Sequence, residues 1–363
     1  MAESLCAEMN WDGRFYEQAM LFFKGRPDDL FSRYYGLTIL DLKVDARPAD
    51  IVRVRSELEY GLLHPEKKGV WSSLETGRLN VNTLNAVLTP GDFKFTLGRF
   101  LPQWGVGKIF RPLDIFTPQT FFLNSLSYQG ADGFSAKYYV SGLSSFECIL
   151  IPSMDIRHLV PDPEISANSN NTAAYKDSVI AGNTEIHLGT FDNYIIALYD
   201  PKTDNKVIGL AFKGDAVLGI WGELLYSFRK KAGRDMIRAS LGADYSFARY
   251  YFITAEYFYD ESGASDHRDY ESLSRSMPRM TLGEQYLMLD LSVLTYTEQS
   301  FGLTGLVNLL DRSFVLFPYF KYEILNNCLL GLSLYHFNGR SGREFSPHLF
   351  GNYIFNTYLV VRF

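Results

Sequence analysis

From residue 12 to residue 363 apolar and polar side chains alternate again and again with a period of two. Successive side chains of a β-strand point to opposite faces, so this pattern predicts strands with one apolar and one mixed face. Val52, Val54, Ser56, Leu58 and Tyr60 alternate with Arg53, Arg55, Glu57 and Glu59. Leu79, Val81 and Thr83 alternate with Arg78, Asn80 and Asn82. At the end of the chain Tyr353, Phe355, Thr357, Leu359, Val361 and Phe363 oppose Asn352, Ile354, Asn356, Tyr358, Val360 and Arg362.

Eighteen strands are predicted, at 12–23, 34–45, 51–62, 76–88, 93–100, 133–141, 145–152, 184–191, 194–200, 206–213, 217–228, 236–247, 250–260, 285–297, 300–310, 313–325, 328–337 and 349–363. Every second connection is short, as at 46–50, 89–92, 142–144 and 192–193, and the rest include 63–75, 101–132, 153–183, 261–284 and 338–348. Short turns at one end and long loops at the other predict an all-β fold, a transmembrane antiparallel up-and-down β-barrel with both termini on the periplasmic side. Residues 1–11 are then an N-terminal periplasmic segment and 12–363 a single barrel, with 101–132, 153–183 and 261–284 as its long outer loops. Closure pairs 349–363 with 12–23, where Glu17 interrupts the apolar face, and 184–191 is short; sixteen strands is the alternative count. No plug-sized domain is read before the first strand.

Composition fits this picture. Aromatic residues make up 15% of the 363 residues, with 24 Tyr and 28 Phe, and 47% are hydrophobic. Mean hydropathy is nevertheless only -0.08. Strands that face lipid on one side and water on the other, with aromatic girdles at both interfaces, have this mixture. A soluble β-rich protein would have to bury all the outward Leu, Phe and Tyr in some other way. No run of roughly 18 apolar residues predicts a membrane helix. The net charge of -6 argues against a nucleic-acid partner. An export signal is expected but is not visible in residues 1–9, which places it upstream or already removed. Cys6, Cys148 and Cys328 have no metal-type spacing, and no cofactor is expected.

A barrel of this size leaves an aqueous lumen, which makes its inward side chains the candidate functional surface. One wall is expected to carry Asp41, Lys43, Arg53, Arg55, Glu57, Glu59, Arg78, Asn80, Asn82 and Lys94. Farther round, Arg238, Asp244, Glu256, Asp290, Lys321 and Glu323 also point inward. Opposed charges set up a transverse field that filters hydrated solutes. After Gly98 the alternation stops, and the glycines and prolines of 98–118 are interleaved with Trp104, Phe110 and Phe116, too apolar for a loop in water. This segment is expected to fold into or over the mouth and narrow it, with Arg99, Lys108, Arg111 and Asp114 near the passage.

Gly98-Arg99, Trp104-Gly105, Pro112-Leu113-Asp114 and Pro118, with Ile208-Gly209 and Trp221-Gly222-Glu223, resemble features of porin-type outer-membrane proteins of Gram-negative and spirochaete-like bacteria. Phe355, Leu359, Val361 and Phe363 resemble the C-terminal signal by which barrel-assembly machinery recognises such chains. The resemblance implies a porin in the bacterial outer membrane, in contact with its lipid, that passes small hydrophilic solutes passively. A loop-borne adhesin or ligand-binding barrel and an uptake channel for hydrophobic solutes are the alternatives. No catalytic set is read: His64, His158, His187, His267, His336 and His348 fall in no recognisable motif, and no metal-site motif is present. Oligomeric state has no signature in the sequence.

Overall fold

The computed structural model describes residues 8–23, 33–65, 77–116, 130–152, 178–229, 235–248, 250–270, 281–295, 299–347 and 351–363. Its strands are β1 (Glu8–Phe23), β2 (Arg33–Ala49), β3 (Val52–Pro65), β4 (Gly77–Leu88), β5 (Phe93–Phe100), β6 (Ala131–Tyr139), β7 (Ser145–Ile151), β8 (Val179–Leu188) and β9 (Phe191–Asp200). The series continues with β10 (Asn205–Asp215), β11 (Gly219–Arg229), β12 (Met236–Phe247), β13 (Tyr251–Asp260), β14 (Gln285–Leu294), β15 (Ser300–Asn308), β16 (Phe314–Leu325), β17 (Cys328–Asn338) and β18 (Tyr353–Arg362). Each pairs antiparallel with its sequence neighbours, and β18 pairs with β1 from Arg14↔Arg362 to Phe23↔Tyr353. The sheet therefore closes at eighteen strands and has no free edge.

The outer face displays Leu79, Leu97, Leu210, Leu241, Leu289 and Leu303, each more than two-fifths exposed. So continuous an apolar surface is stable only against hydrocarbon. Aromatic pairs ring the short-turn end: Phe93 with Tyr138, Phe247 with Tyr251, Phe301 with Phe320, and Trp11 with Phe363. The inner face is not uniformly wet. Among the described residues three apolar clusters occupy it, one around Ile149, Ile196 and Leu225, another around Tyr286, Val315 and Phe337, and a small one of Leu37 and Ile39.

Four boundaries differ from the sequence reading. β1 begins at Glu8, paired with Arg47, so residues 8–11 belong to the barrel and not to a separate segment. β2 runs on to Ala49 through a bulge, which replaces the expected turn at 46–50 by a two-residue one. β8 spans Val179–Leu188, which shortens the loop expected at 153–183 and moves the next turn from 192–193 to Gly189 and Thr190. There Gly189 has φ 66°, a left-handed angle that glycine adopts without strain. Finally, β6 starts at Ala131, inside the expected loop 101–132.

Candidate functional site

The alternation of β5 persists to its last residue. Val87↔Thr96 is an inward pair, Ala86↔Leu97 an outward one, and Leu84↔Arg99 outward again. Arg99 therefore lies on the outer face, where its Nη2 is 2.6 Å from Asp132 Oδ2. This corrects the expectation that Arg99 lines the passage: β5 keeps its alternation to Phe100, the end expected for the strand, and so carries Arg99 outward.

Beyond Phe100 the chain turns inward and crosses the barrel. Glu223 on β11 receives this segment: its Oε1 accepts the N–H groups of Val106 and Gly107 at 2.5 and 2.7 Å, and its Oε2 accepts that of Leu113 at 2.8 Å. Glu256 on β13 accepts the N–H groups of Ile109 and Phe110 at 2.9 and 3.1 Å. Lys108 pairs with Asp244 of β12 and sits over the Trp221 ring, 5.0 Å from its centroid. Leaving β5 and bonding to β11, β12 and β13, the segment reaches strands six to eight places away in an eighteen-stranded ring.

Apolar contacts fix it from both sides. Phe110 stacks on Phe258 at 4.5 Å between centroids, and Trp104 meets Phe116 edge-on at 5.0 Å. Leu113, Ile115 and Phe116 enter the cluster of Ile149, Ile196 and Leu225. Asp114 folds back on its own segment, accepting the N–H groups of Trp104 at 3.0 Å and Gly105 at 2.8 Å. Burial raises the Asp114 carboxyl above its ordinary range, although the Gly105 N–H and Arg111 pull the other way. Arg111 donates to the Gly107 carbonyl at 2.6 Å. Trp104 and Asp114 thus brace the segment from within and are buried, while Lys108 and Arg111 remain partly exposed.

Beside the segment lies an open cavity of about 770 Å³, lined among others by Arg55, Glu57, Lys94, Lys137, Glu147, Glu185 and Lys213. Lys137 and Glu185 are 3.6 Å apart, and Ser135 donates to Glu147 at 2.5 Å. On the adjacent wall Lys43 pairs with Glu57 at 3.0 Å, while Asp45 receives Arg53 Nε at 2.6 Å and approaches Arg55 at 3.8 Å.

Other expected wall residues are placed differently from a solvated lining. Asp41 is 1% exposed and is held by Arg14; Glu59 accepts from Asn80 and Asn82 at 3.3 and 3.4 Å, all three buried. A bulge also changes the β4 pattern: Glu57 pairs with Thr83 but Leu58 with Val81. Asn82 is the extra residue, so Thr83 joins Asn85 and Val87 against the cavity instead of lying on the apolar face. Glu256 faces inward but is covered by the segment at 1% exposure, so it anchors chain and lines no water. Arg78 lies on β4, its side chain outside the described residues. Arg238 bonds Asp260 at 3.0 Å, Asp290 accepts from Thr304 at 2.5 Å, and Lys321 sits 5.4 Å from the centre of the Tyr319 ring. Glu323 is inward on β16, paired with Leu329. The C-terminal signal residues Phe355, Leu359, Val361 and Phe363 share the outer face of β18, and the Phe363 ring covers Gly13.

Sequence reasoning missed Glu223, Arg14, Asp45, Lys137, Glu147, Glu185 and Lys213 as site residues. Alternation carries a signal for them, since Lys137 follows Ser135 and Glu223 follows Trp221 on inward positions. The bonding of Glu223 to 106–113, in contrast, depends on strands far apart in the ring. A further carboxylate missed, away from the cavity, was Glu344, in the connection before β18. It accepts Tyr286 Oη at 2.5 Å, Asn308 Nδ2 at 2.7 Å and Leu282 N at 2.9 Å. Burial pushes its pKa up to about 7.

No protein-family model and no curated protein matches the sequence. Solved structures do match in fold. OccK5 (OpdH) of Pseudomonas aeruginosa superposes with a TM-score of 0.62 at 11% identity, over 98% of this chain and 97% of that one. A BenF-like porin from Pseudomonas fluorescens gives 0.62 at 9% identity, over 98% of each chain. Wzi of Escherichia coli, described as an outer-membrane protein involved in group 1 capsule assembly and a carbohydrate-binding β-barrel, gives 0.56 at 10% identity, over 97% of this chain and 84% of Wzi. With eighteen strands closed around a chain-crossed lumen, this protein has the fold of a porin-like outer-membrane β-barrel.

Proposed function

We propose that the protein is a passive channel of the bacterial outer membrane for small hydrophilic solutes, and that residues 101–116 set its narrowest part. The observation that carries this reading is the segment crossing from β5 to β13 beside a cavity with charged walls. Arg55, Lys94, Lys137 and Lys213 share that cavity with Glu57, Glu147 and Glu185. Opposed charges across a narrow, low-dielectric gap orient dipolar solutes and slow those with the wrong charge pattern. The inward polar side chains beside the segment disfavour a route for hydrophobic molecules. Liposomes loaded with an impermeant osmolyte test the proposal: protein-bearing vesicles should swell in small sugars and amino acids, and more slowly as solute size grows. Swelling no faster than protein-free vesicles, with the barrel verified as folded, rejects it.

A second reading, a barrel that binds ligands at its outer loops, is favoured by the description of Wzi as carbohydrate-binding. Deleting the connection 261–284 separates the two, because a ligand-binding surface loses its ligand whereas a channel keeps its permeability.

A further inference from the structure

The lipid-facing wall is not evenly clothed. Cys148 of β7, Gly182 of β8 and Ala197 of β9 face outward in one row across three neighbouring strands. All three are small. The row toward the short turns carries Phe146 and Ile195, and the row toward the long loops carries Leu150, Ile180 and Tyr199, each between 40% and 50% exposed. Between these rows an open cavity of about 930 Å³ runs along the outer wall and continues over Ile208 to Lys206 and Phe228. Among the described residues a Cβ on Gly182 would meet only the Glu147 carbonyl oxygen within 4 Å, at 3.6 Å. The protein therefore leaves this trough unfilled, and what lies against it is hydrocarbon.

The trough starts at headgroup level and runs into the apolar belt. At its long-loop end Lys206 stands in register with Tyr199 on one side and Phe228 on the other, its Nζ 5.9 Å from the centre of the Tyr199 ring. A lysine between two aromatic rings at a strand end marks the membrane–water interface. From Cys148 to Ile208 the floor spans three strand spacings, about 14 Å. An acyl chain seated there touches both rows of large side chains as well as the floor, contacts that a chain on the even wall lacks. Charge at the long-loop end selects the headgroup. Beside the Lys206 ammonium lie the carboxylates of Asp204 and Asp235, the latter accepting from the Tyr226 hydroxyl at 2.7 Å. One cation beside two carboxylates suits a zwitterionic head that brings both a phosphate and a primary ammonium. A purely anionic head would meet the carboxylates with no cation of its own.

We propose that the trough over Cys148, Gly182 and Ala197 is a binding site for one lipid with a phosphoethanolamine headgroup, its acyl chain in the trough, its phosphate on Lys206 and its ammonium at Asp204 and Asp235. The site lies on the outer wall and is independent of what passes through the lumen.

Native mass spectrometry of the detergent-folded protein tests it, with equal amounts of phosphatidylethanolamine and phosphatidylglycerol bearing the same acyl chains. Wild type should retain one molecule of phosphatidylethanolamine, about fivefold in preference to phosphatidylglycerol. Gly182→Leu and Ala197→Leu fill the trough with the protein's own methylenes and should each lower that retention about tenfold. The double variant Asp204→Asn, Asp235→Asn leaves the trough open and should erase the preference between the two lipids, whereas Lys206→Gln should weaken retention of both. Equal retention of the two lipids by wild type, undiminished retention in folded Leu variants, or a preference that survives the Asn double variant overturns the site.

Discussion

The carboxylate of Glu223 accepts the backbone N–H of Gly107 at 2.7 Å, although the two residues lie 116 positions apart in sequence, one on the barrel wall and the other on the segment that crosses the lumen. That bond, with those to Val106 and Leu113, ties the inward segment to β11. Glu223 is 3% exposed, and the groups bonded to it are backbone amides. Replacing it by Ala leaves three N–H groups without their acceptor, at about 1–3 kcal/mol each where water does not reach them. Glu223→Ala should therefore loosen the segment while the closed sheet persists. Limited proteolysis should cut within 101–116 in the variant and spare wild type. Equal resistance in both would show that the apolar contacts alone hold the segment.

Gly107 also faces the segment's other anchor, Glu256. A Cβ there would fall 2.0 Å from the Phe110 carbonyl oxygen and 2.9 Å from Glu256 Oε1. Backbone cannot yield as a side-chain tip can, so Gly107→Ala should displace the turn at 107–110 and detach Phe110 from Phe258. Trp104 fluorescence should then report a changed environment. An unchanged spectrum and unchanged solute permeability would contradict the tight packing described.

At the seam, Arg14 of β1 and Asp41 of β2 form an ion pair in which Asp41 is almost wholly buried. Removing one partner of such a pair costs about 3–5 kcal/mol, because the remaining charge stays buried and unpaired. Arg14→Ala should lower the temperature at which the barrel unfolds on a heat-modifiability gel. The double variant Arg14→Leu, Asp41→Leu should recover most of the loss. A single variant as stable as wild type would deny the pair any role in holding β1 to the ring.

The outer network around Glu344 should respond to pH. Its carboxyl is raised from 4.5 to about 7 where the connection before β18 is closed, chiefly by burial, with Asp311 adding to the rise. The closed state then binds its proton more tightly than an opened, solvated one. The resulting stabilisation is complete below about pH 4.5 and is lost as pH rises through 7, on the order of 3 kcal/mol in all. Hydrogen exchange at 339–346 should accelerate from pH 5 to pH 8 beyond its intrinsic pH dependence, and Glu344→Gln should abolish the excess. An excess that persists in the variant would assign it to another group.

Most of the barrel was legible in the sequence because each strand carries its own period of two, independent of its partners. The eighteen strands and the β1–β18 closure follow from it, even though Glu17 breaks the apolar face of β1; there Thr38 donates to Glu17 at 2.6 Å and satisfies it. Thr83 was assigned to the wrong face because the bulge at Asn82 is a property of the β3–β4 pairing and not of β4 alone. Arg99 was misplaced because it falls where the expected strand 93–100 and the expected crossing segment 98–118 overlap, and the pairing of Leu84 with Arg99 gives it to the strand. The apolar excess of Trp104, Phe110 and Phe116 did announce that 101–116 is packed. Its partners Glu223 and Glu256 did not announce themselves, because pairing a loop with a wall six to eight strands away requires the closed ring.

The channel claim and the constriction claim meet in a single planar-bilayer recording of wild type beside Glu223→Ala. Wild type should raise the conductance in discrete steps, and the variant, with its segment released from β11, should show larger ones. Silence from folded wild type and folded variant alike, or steps of equal size from a variant whose segment is demonstrably cut by protease, would contradict the account.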